Sequence, residues 1–163
     1  MRSVSVASDG SCLVGGNNKG NIYIWAWSEN ERGETILFPK HKFQAHSRYI
    51  LRCLMSPDTR LLATCSADTT VKIWNVEGPT HKLERELTGH QRWVWDMAFS
   101  ADSAYLVSAS SDHSARLWEL ASGTQVRQYS AHQKACTAIG LNDVSHLHCS
   151  LLQVLIIAQI NLA

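Results

Sequence analysis

Charge of one sign is scarce in this 163-residue chain: fifteen Lys and Arg stand against fourteen Asp and Glu, a formal net charge of +1. That balance builds no basic field, so neither nucleic acid nor anionic lipid is expected as the main partner. No Cys-x-x-Cys pair occurs among Cys12, Cys53, Cys65, Cys136 and Cys149, and an odd count suits no secreted disulfide framework. Reduced thiols and a cytoplasmic location are the simpler expectation. The N-terminal MRSVSVASDGS lacks the apolar centre of a signal peptide. The apolar tail LLQVLIIAQINLA (151–163) falls short of the roughly 20 residues a spanning helix needs, so the chain is expected to be soluble, without membrane insertion.

Catalytic signatures are missing as well. There is no G-x-S-x-G elbow. NNKGN (17–21) holds one glycine and reads as a strand-joining turn rather than a phosphate loop. HLHC (146–149) has metal-ligand residue types but no second pair at a useful distance, and reads as a chance cluster in an irregular tail. No enzymatic activity, small-molecule substrate, metal or cofactor is expected. What remains is globular material, 45% apolar and 18% charged, enough for one domain.

A repeat organises that material. HSRYILRCLMSPDTRLLATCSADTTVKIW (46–74) aligns without a gap on HQRWVWDMAFSADSAYLVSASSDHSARLW (90–118), at an offset of 44 residues. Eight of the 29 positions are identical: His46/His90, Arg48/Arg92, Ser56/Ser100, Asp58/Asp102, Leu62/Leu106, Ser66/Ser110, Asp68/Asp112 and Trp74/Trp118. An earlier copy ends at Trp25, and Asp9, Asp58 and Asp102 each lie 16 residues before the tryptophan closing their copy. A further copy begins at HQKACTAIGLND (132–143) and stops. Within copy two, ILRCLM, LLATC, VKIWNV and KLEREL read as strands divided by the turns SPDT and SADTT. Four antiparallel strands recurring every 40–45 or so residues, with this His and Trp placement, predict the blades of a β-propeller.

On these motifs the chain resembles the WD40 family from Arg2 to Asp143. The resemblance implies an all-β, partial propeller: blade I over 2–44, blade II over 46–88, blade III over 90–130, and the first strand of a further blade over 132–143, followed by a divergent tail over 144–163. The family ring has seven blades, so the two outermost faces of such a partial ring are expected to be bare sheet. The family's structural tetrad carries over to His46, Thr64, Asp68 and Trp74, and to His90, Ser108, Asp112 and Trp118. In copy one Lys19 stands at the aspartate position and Gly15 at the hydroxyl position, so that blade is expected to be held by packing alone. Because His46, His90 and His132 occupy one place in three repeats, they belong to separate blades rather than to a shared metal site or a hydrolase triad.

The segment GHQRWVWDMAFS (89–100) sets two indoles one residue apart, on one side of an unbroken strand. In the WD40 family the first, third and fifth positions after the blade histidine commonly meet partners. Those positions are Ser47, Tyr49 and Leu51, then Gln91, Trp93 and Trp95, then Gln133, Ala135 and Thr137; Ala67, Thr69, Ser111 and His113 flank the turn aspartates. Trp93 and Trp95 are therefore expected on the partner face, with Val94 turned to the packing side. Arg48, Arg92 and Lys134 share one repeat position and predict a partly basic arc that favours an acidic or hydrogen-bond-accepting loop.

Three stretches, LTGHQRWVWDMAFSADSAYLVSASSDHSARLW, LLATCSADTTVKIWNVEG and AHQKACTAIGLND, with the lengthened ENERGETILFPKHKFQAH, are more specific. They are similar to the small WD40 subunits of TOR kinase complexes, the G-protein-β-subunit-like group. That resemblance implies a non-catalytic scaffold shared by TOR complexes 1 and 2, which binds and stabilises the C-terminal catalytic lobe of the TOR serine/threonine kinase. It implies roles in nutrient-responsive growth and cytoskeletal organisation, and contact through the kinase with the other complex subunits. Tyr49, Leu51, Arg92, Trp93, Trp95, Arg48 and Lys134 are the expected contacts. Another WD40 adaptor, such as a ubiquitin-ligase substrate receptor or a G-protein-β-like scaffold, and a truncated product without independent function, remain the alternatives.

Overall fold

The computed structural model describes residues 1–78, 80–130, 132–142 and 153–158. Fourteen strands and no helix occur among them. Blade I is the meander β1 (Ser3–Val6), β2 (Leu13–Gly16), β3 (Asn21–Glu29) and β4 (Thr35–Gln44). Blade II comprises β5 (Ile50–Met55), β6 (Leu61–Ser66), β7 (Val71–Asn75) and β8 (Lys82–Leu87). Blade III comprises β9 (Val94–Phe99), β10 (Tyr105–Ser110), β11 (Ala115–Glu119) and β12 (Gln125–Tyr129). Every pairing is antiparallel.

This is the all-β, partial propeller that the repeat predicted and the family resemblance implied, with one addition. The further strand, β13 (Cys136–Asn142), is not alone: β14 (Gln153–Ala158), drawn from the divergent tail, pairs with it. The alternation-free apolar run QVLIIA supplies β-branched and aliphatic residues that suit a strand. HLHC (146–149) lies outside the described residues.

The core sits between blades rather than within them, because a sheet buries side chains only by facing another sheet. Val14, Ile22, Ile50, Leu62 and Trp74 join blade I to blade II. Leu51, Val71, Val94, Met97, Leu106 and Trp118 join blade II to blade III, and Val107, Leu117, Cys136 and Ile139 join blade III to β13. The inner strands β1, β5, β9 and β13 lie side by side in that order, whereas the outer strands β4, β8 and β12 are largely exposed.

Each turn repeats one chemistry. In the first turn of each blade Asp9, Asp58 or Asp102 accepts the backbone N–H two residues on, and Gly10, Thr59 and Ser103 follow with φ of 72°, 62° and 59°. In the second turn Gly20, Thr69 and His113 take φ of 80°, 76° and 68°. Only Gly20 is compelled: a Cβ there would stand 2.0 Å from the His46 carbonyl oxygen. The backbone N–H groups of Ala45 and His46 both donate to the Gly20 carbonyl, so the chain entering blade II lies directly on this turn.

Candidate partner-binding face

In blades II and III a polar chain fixes the sheet end where the chain enters. Trp74 Nε1 donates to Thr64 Oγ1 at 3.0 Å, His46 Nε2 lies 2.8 Å from that hydroxyl, and His46 Nδ1 lies 2.9 Å from the Asp68 carboxylate. Blade III repeats it: Trp118 to Ser108 at 2.9 Å, Ser108 to His90 at 2.8 Å, His90 to Asp112 at 2.8 Å. A hydroxyl that accepts from the indole donates onward to Nε2, leaving Nδ1–H for the carboxylate. Burial holds His90 below the ordinary histidine value, so the ring is neutral at physiological pH. Burial pushes Asp112 up, but hydrogen bonds from Ser114, His90 and the Gln91 N–H outweigh it and lower its pKa to about 2. Asp68 is likewise held well below the usual carboxylate range: burial opposes this, and the His46 contact and the Thr70 hydrogen bonds prevail. The aspartates also accept the N–H of Ser47 and of Gln91, and so pin the first residue of each entry segment.

Blade I has no such network, yet packing is not all that holds it. Asn17 Oδ1 accepts the N–H of Lys19 at 2.9 Å and of Asn21 at 3.0 Å, closing the turn that an aspartate closes elsewhere. The Ser3 hydroxyl accepts the Cys53 N–H at 3.0 Å, and Ser5 accepts that of Met55 at 3.2 Å, stitching β1 to β5. A side-chain amide bonds its own turn as an aspartate does, without a histidine to anchor it.

The pinned segments carry the aromatic residues. Trp93 is 39% and Tyr49 46% exposed, their rings edge to face at 6.4 Å, and Trp95 lies 5.6 Å from Trp93. The two indoles do not share one environment. Trp95 is half-buried, packs against the core between blades II and III, and donates to the Ser111 hydroxyl at 2.5 Å. The reason is a β-bulge: Val94 opposes Ser110 and Asp96 opposes Ala109, so Trp95 is the unpaired extra residue. The same bulge leaves Leu51 unpaired between Ile50 and Arg52, and Thr137 between Cys136 and Ala138. It turns Leu51 into the core against blade III, 9% exposed, which corrects its expected place on the partner face. Parity along the strand could not reveal this, since a bulge resets it.

Arg48 and Arg92 are exposed and, with Trp93, wall a depression of about 350 Å³. A second of about 360 Å³ lies between Tyr49 and Trp93 and shares Arg48. Lys134 is exposed but lines neither. Of the turn positions, Thr69 and Ser111 reach the first depression, Ala67 is buried beneath both, and His113 is exposed and lines neither. The surface is an aromatic ridge flanked by guanidinium groups, suited to a carboxylate or carbonyl beside an apolar side chain.

One residue escaped sequence reasoning. Asp96 holds the Arg52 guanidinium of β5 at 3.3 Å and accepts the Ile139 N–H of β13 at 3.1 Å, so it ties three inner strands. Its counterpart in blade II is Arg52 itself, a charge reversal that the repeat alignment contains.

Comparison with known proteins agrees with this architecture. The family model "WD domain, G-beta repeat" matches residues 37–75 and 81–119. The chain is 64% identical over 143 residues to the target of rapamycin complex subunit wat1 of Schizosaccharomyces pombe, a match covering 88% of this chain and 45% of that protein. It is 56% identical over 144 residues to the target of rapamycin complex subunit LST8 of Saccharomyces cerevisiae, covering 88% of this chain and 47% of that one. A protein LST8 homolog of Drosophila melanogaster is 49% identical over 143 residues, covering 88% and 45%. The chain thus spans about half the length of these relatives. Repeat, fold and relatives agree: the chain is a partial β-propeller of the WD40 family, similar over most of its length to TOR complex subunits.

Proposed function

We propose that this chain serves as a non-catalytic WD40 scaffold subunit of TOR complexes 1 and 2, binding and stabilising the catalytic region of the TOR kinase. The observation that carries the reading is the 64% identity, over 88% of the chain, to a protein named as a TOR complex subunit. The Tyr49–Trp93 ridge with Arg48 and Arg92 supports it, since a scaffold needs an exposed, rigid patch of this composition. Trp93 is the direct contact, and Trp95 and the tetrads hold the ridge in place. The kinase's C-terminal lobe, the cytoplasm as the site of action, and roles in nutrient-responsive growth and cytoskeletal organisation belong to the same proposal.

The test is co-precipitation of the TOR kinase catalytic region by the full chain and by Trp93→Ala. Recovery by the parent and loss in an equally soluble variant supports the reading. Recovery of ubiquitin-ligase components without kinase would favour the other WD40 adaptor.

A second reading has its own observation. On blade I, the face turned away from blade II carries exposed Met1, Val4 and Val6, and Tyr23 stacks on Trp25 at 5.8 Å. An uncovered apolar sheet face favours a segment that works only with further blades. A chain recovered solely in aggregates would establish that reading instead.

A further inference from the structure

At the opposite end of the blade I–blade II seam from Trp93 lies a cavity of about 380 Å³. Its wall draws on the β1–β2 turn through Ser11, on the β5–β6 turn through Thr59, on β4 through Lys40 and His41, and on the segment between β7 and β8 through Glu77 and His81. Two features set it apart. Both ring nitrogens of His81 are buried from solvent, and neither has a hydrogen-bond partner among the described residues. Unpaired buried polar groups are costly, and a site that tolerates two of them is built to receive a partner.

The second feature is a β-bulge that delivers two cationic residues at once. Ile24 opposes His41 and Trp25 opposes Pro39, which leaves Lys40 unpaired in β4. Consecutive strand residues ordinarily face opposite ways; the bulge lets Lys40 and His41 line the same cavity. The bulge recurs in β8 at Glu84 and in β12 at Val126, both exposed, so the feature particular to blade I is the Lys-His pair and not the bulge. His41 and His81 meet edge to face, 4.4 Å between ring centroids.

Charge then selects the ligand. Lys40, His41 and His81 face one carboxylate, Glu77, which is held by Arg60 at 3.0 Å. Burial, reinforced by His41 and Lys40, keeps His81 below its ordinary pKa, so its ring is neutral near pH 7. We propose that this cavity is a binding site for a compact oxyanion, a carboxylate or a phosphate group, received by His81, His41 and Lys40 with the Ser11 and Thr59 hydroxyls as further donors. An entering anion favours the imidazolium form of His81, so binding takes up a proton and strengthens as pH falls from 7.5 to 5.5. Cys12 and Glu77 are the other ionisable groups among the described residues that line the cavity.

The experiment is a titration of the full chain with inorganic phosphate, and separately with acetate, at pH 5.5 and 7.5 with chloride matching ionic strength, read by the imidazole NMR signals. The expected result is that His41 and His81 shift together and saturate with either anion, at least threefold more weakly at pH 7.5. His46 and His90 stay fixed and report an intact fold. Lys40→Ala should remove the saturable shift of both cavity histidines, and His81→Gln that of His41. Non-saturating shifts, or a saturable shift surviving in both variants, would overturn the proposal.

Discussion

Blades I and III are built on one strand plan and held by different means. In blade III a tryptophan, a serine, a histidine and an aspartate form a buried chain, and the aspartate reaches out to fix the entry segment that bears Trp93. In blade I the equivalent turn is closed by Asn17 alone, and the chain leaving the blade rests on Gly20. Trp118 packs at 2% exposure against blade II, whereas its counterpart Trp25 sits on the open side of blade I beside Tyr23. The tryptophan of each blade thus faces the blade before it, and blade I meets no described blade there. The tetrads fix the entry segments of blades II and III, which bear the proposed partner ridge, and blade I fixes its own turn without one.

The largest effect should come from cutting the network in blade III. Asp112→Ala strands His90 Nδ1 and the Gln91 and Ser114 N–H groups, and urea denaturation should show a loss of about 3–4 kcal/mol. Lys19→Ala at the same repeat position of blade I should stay within about 0.5 kcal/mol. Equal losses would break the comparison.

Gly20→Ala probes what blade I relies on instead. A Cβ at φ of 80°, 2.0 Å from a backbone carbonyl, has nowhere to go, and the expected cost by thermal or urea melting is about 3 kcal/mol. Thr69→Ala, at the equivalent position with no such demand, should cost less than about 0.5 kcal/mol.

Acid should act through blades II and III. Burial depresses His90, so its contribution is complete above the unfolded value near 6.5 and declines as pH falls through the depressed native value. Asp112, lowered from 3.8 to about 2, contributes stability above pH 4 or so that is lost as pH falls to about 2. Together with Asp68, lowered in the same direction, stability by urea melting should decline in two steps from pH 7 to 2. The carboxylate step should be roughly 2 kcal/mol per aspartate and absent at that site in Asp112→Ala. A smaller effect, about 1 kcal/mol, is expected for Asn17→Ala, which frees two backbone N–H groups in the blade I turn.

Much of this architecture was legible in the sequence. The 44-residue repeat marked the blades because each blade must present the same residues to its neighbours, so selection for packing writes a period into the chain. The tetrad positions could be carried over from the family. What stayed hidden depends on register. The bulge after Ile50 and Val94 turns Leu51 into the core and Trp95 halfway into it, and no alternation pattern signals an extra residue that resets the alternation. Asn17 was invisible because an amide two residues before the aspartate position performs the aspartate's local role. The pairing of β14 with β13 joins segments about fifteen residues apart that share no repeat signature, and the seam cavity needs His41 and His81 from different blades.

The measurement that bears most directly on the whole account is the dissociation constant of the TOR kinase catalytic region for Trp93→Ala, taken beside the variant's urea midpoint. A rigid scaffold with a solvent-facing contact residue predicts binding at least tenfold weaker, with stability changed by no more than about 1 kcal/mol. Parent-like affinity in a stably folded Trp93→Ala chain would contradict it, because the ridge that the tetrads hold in place would then not be what the partner reads.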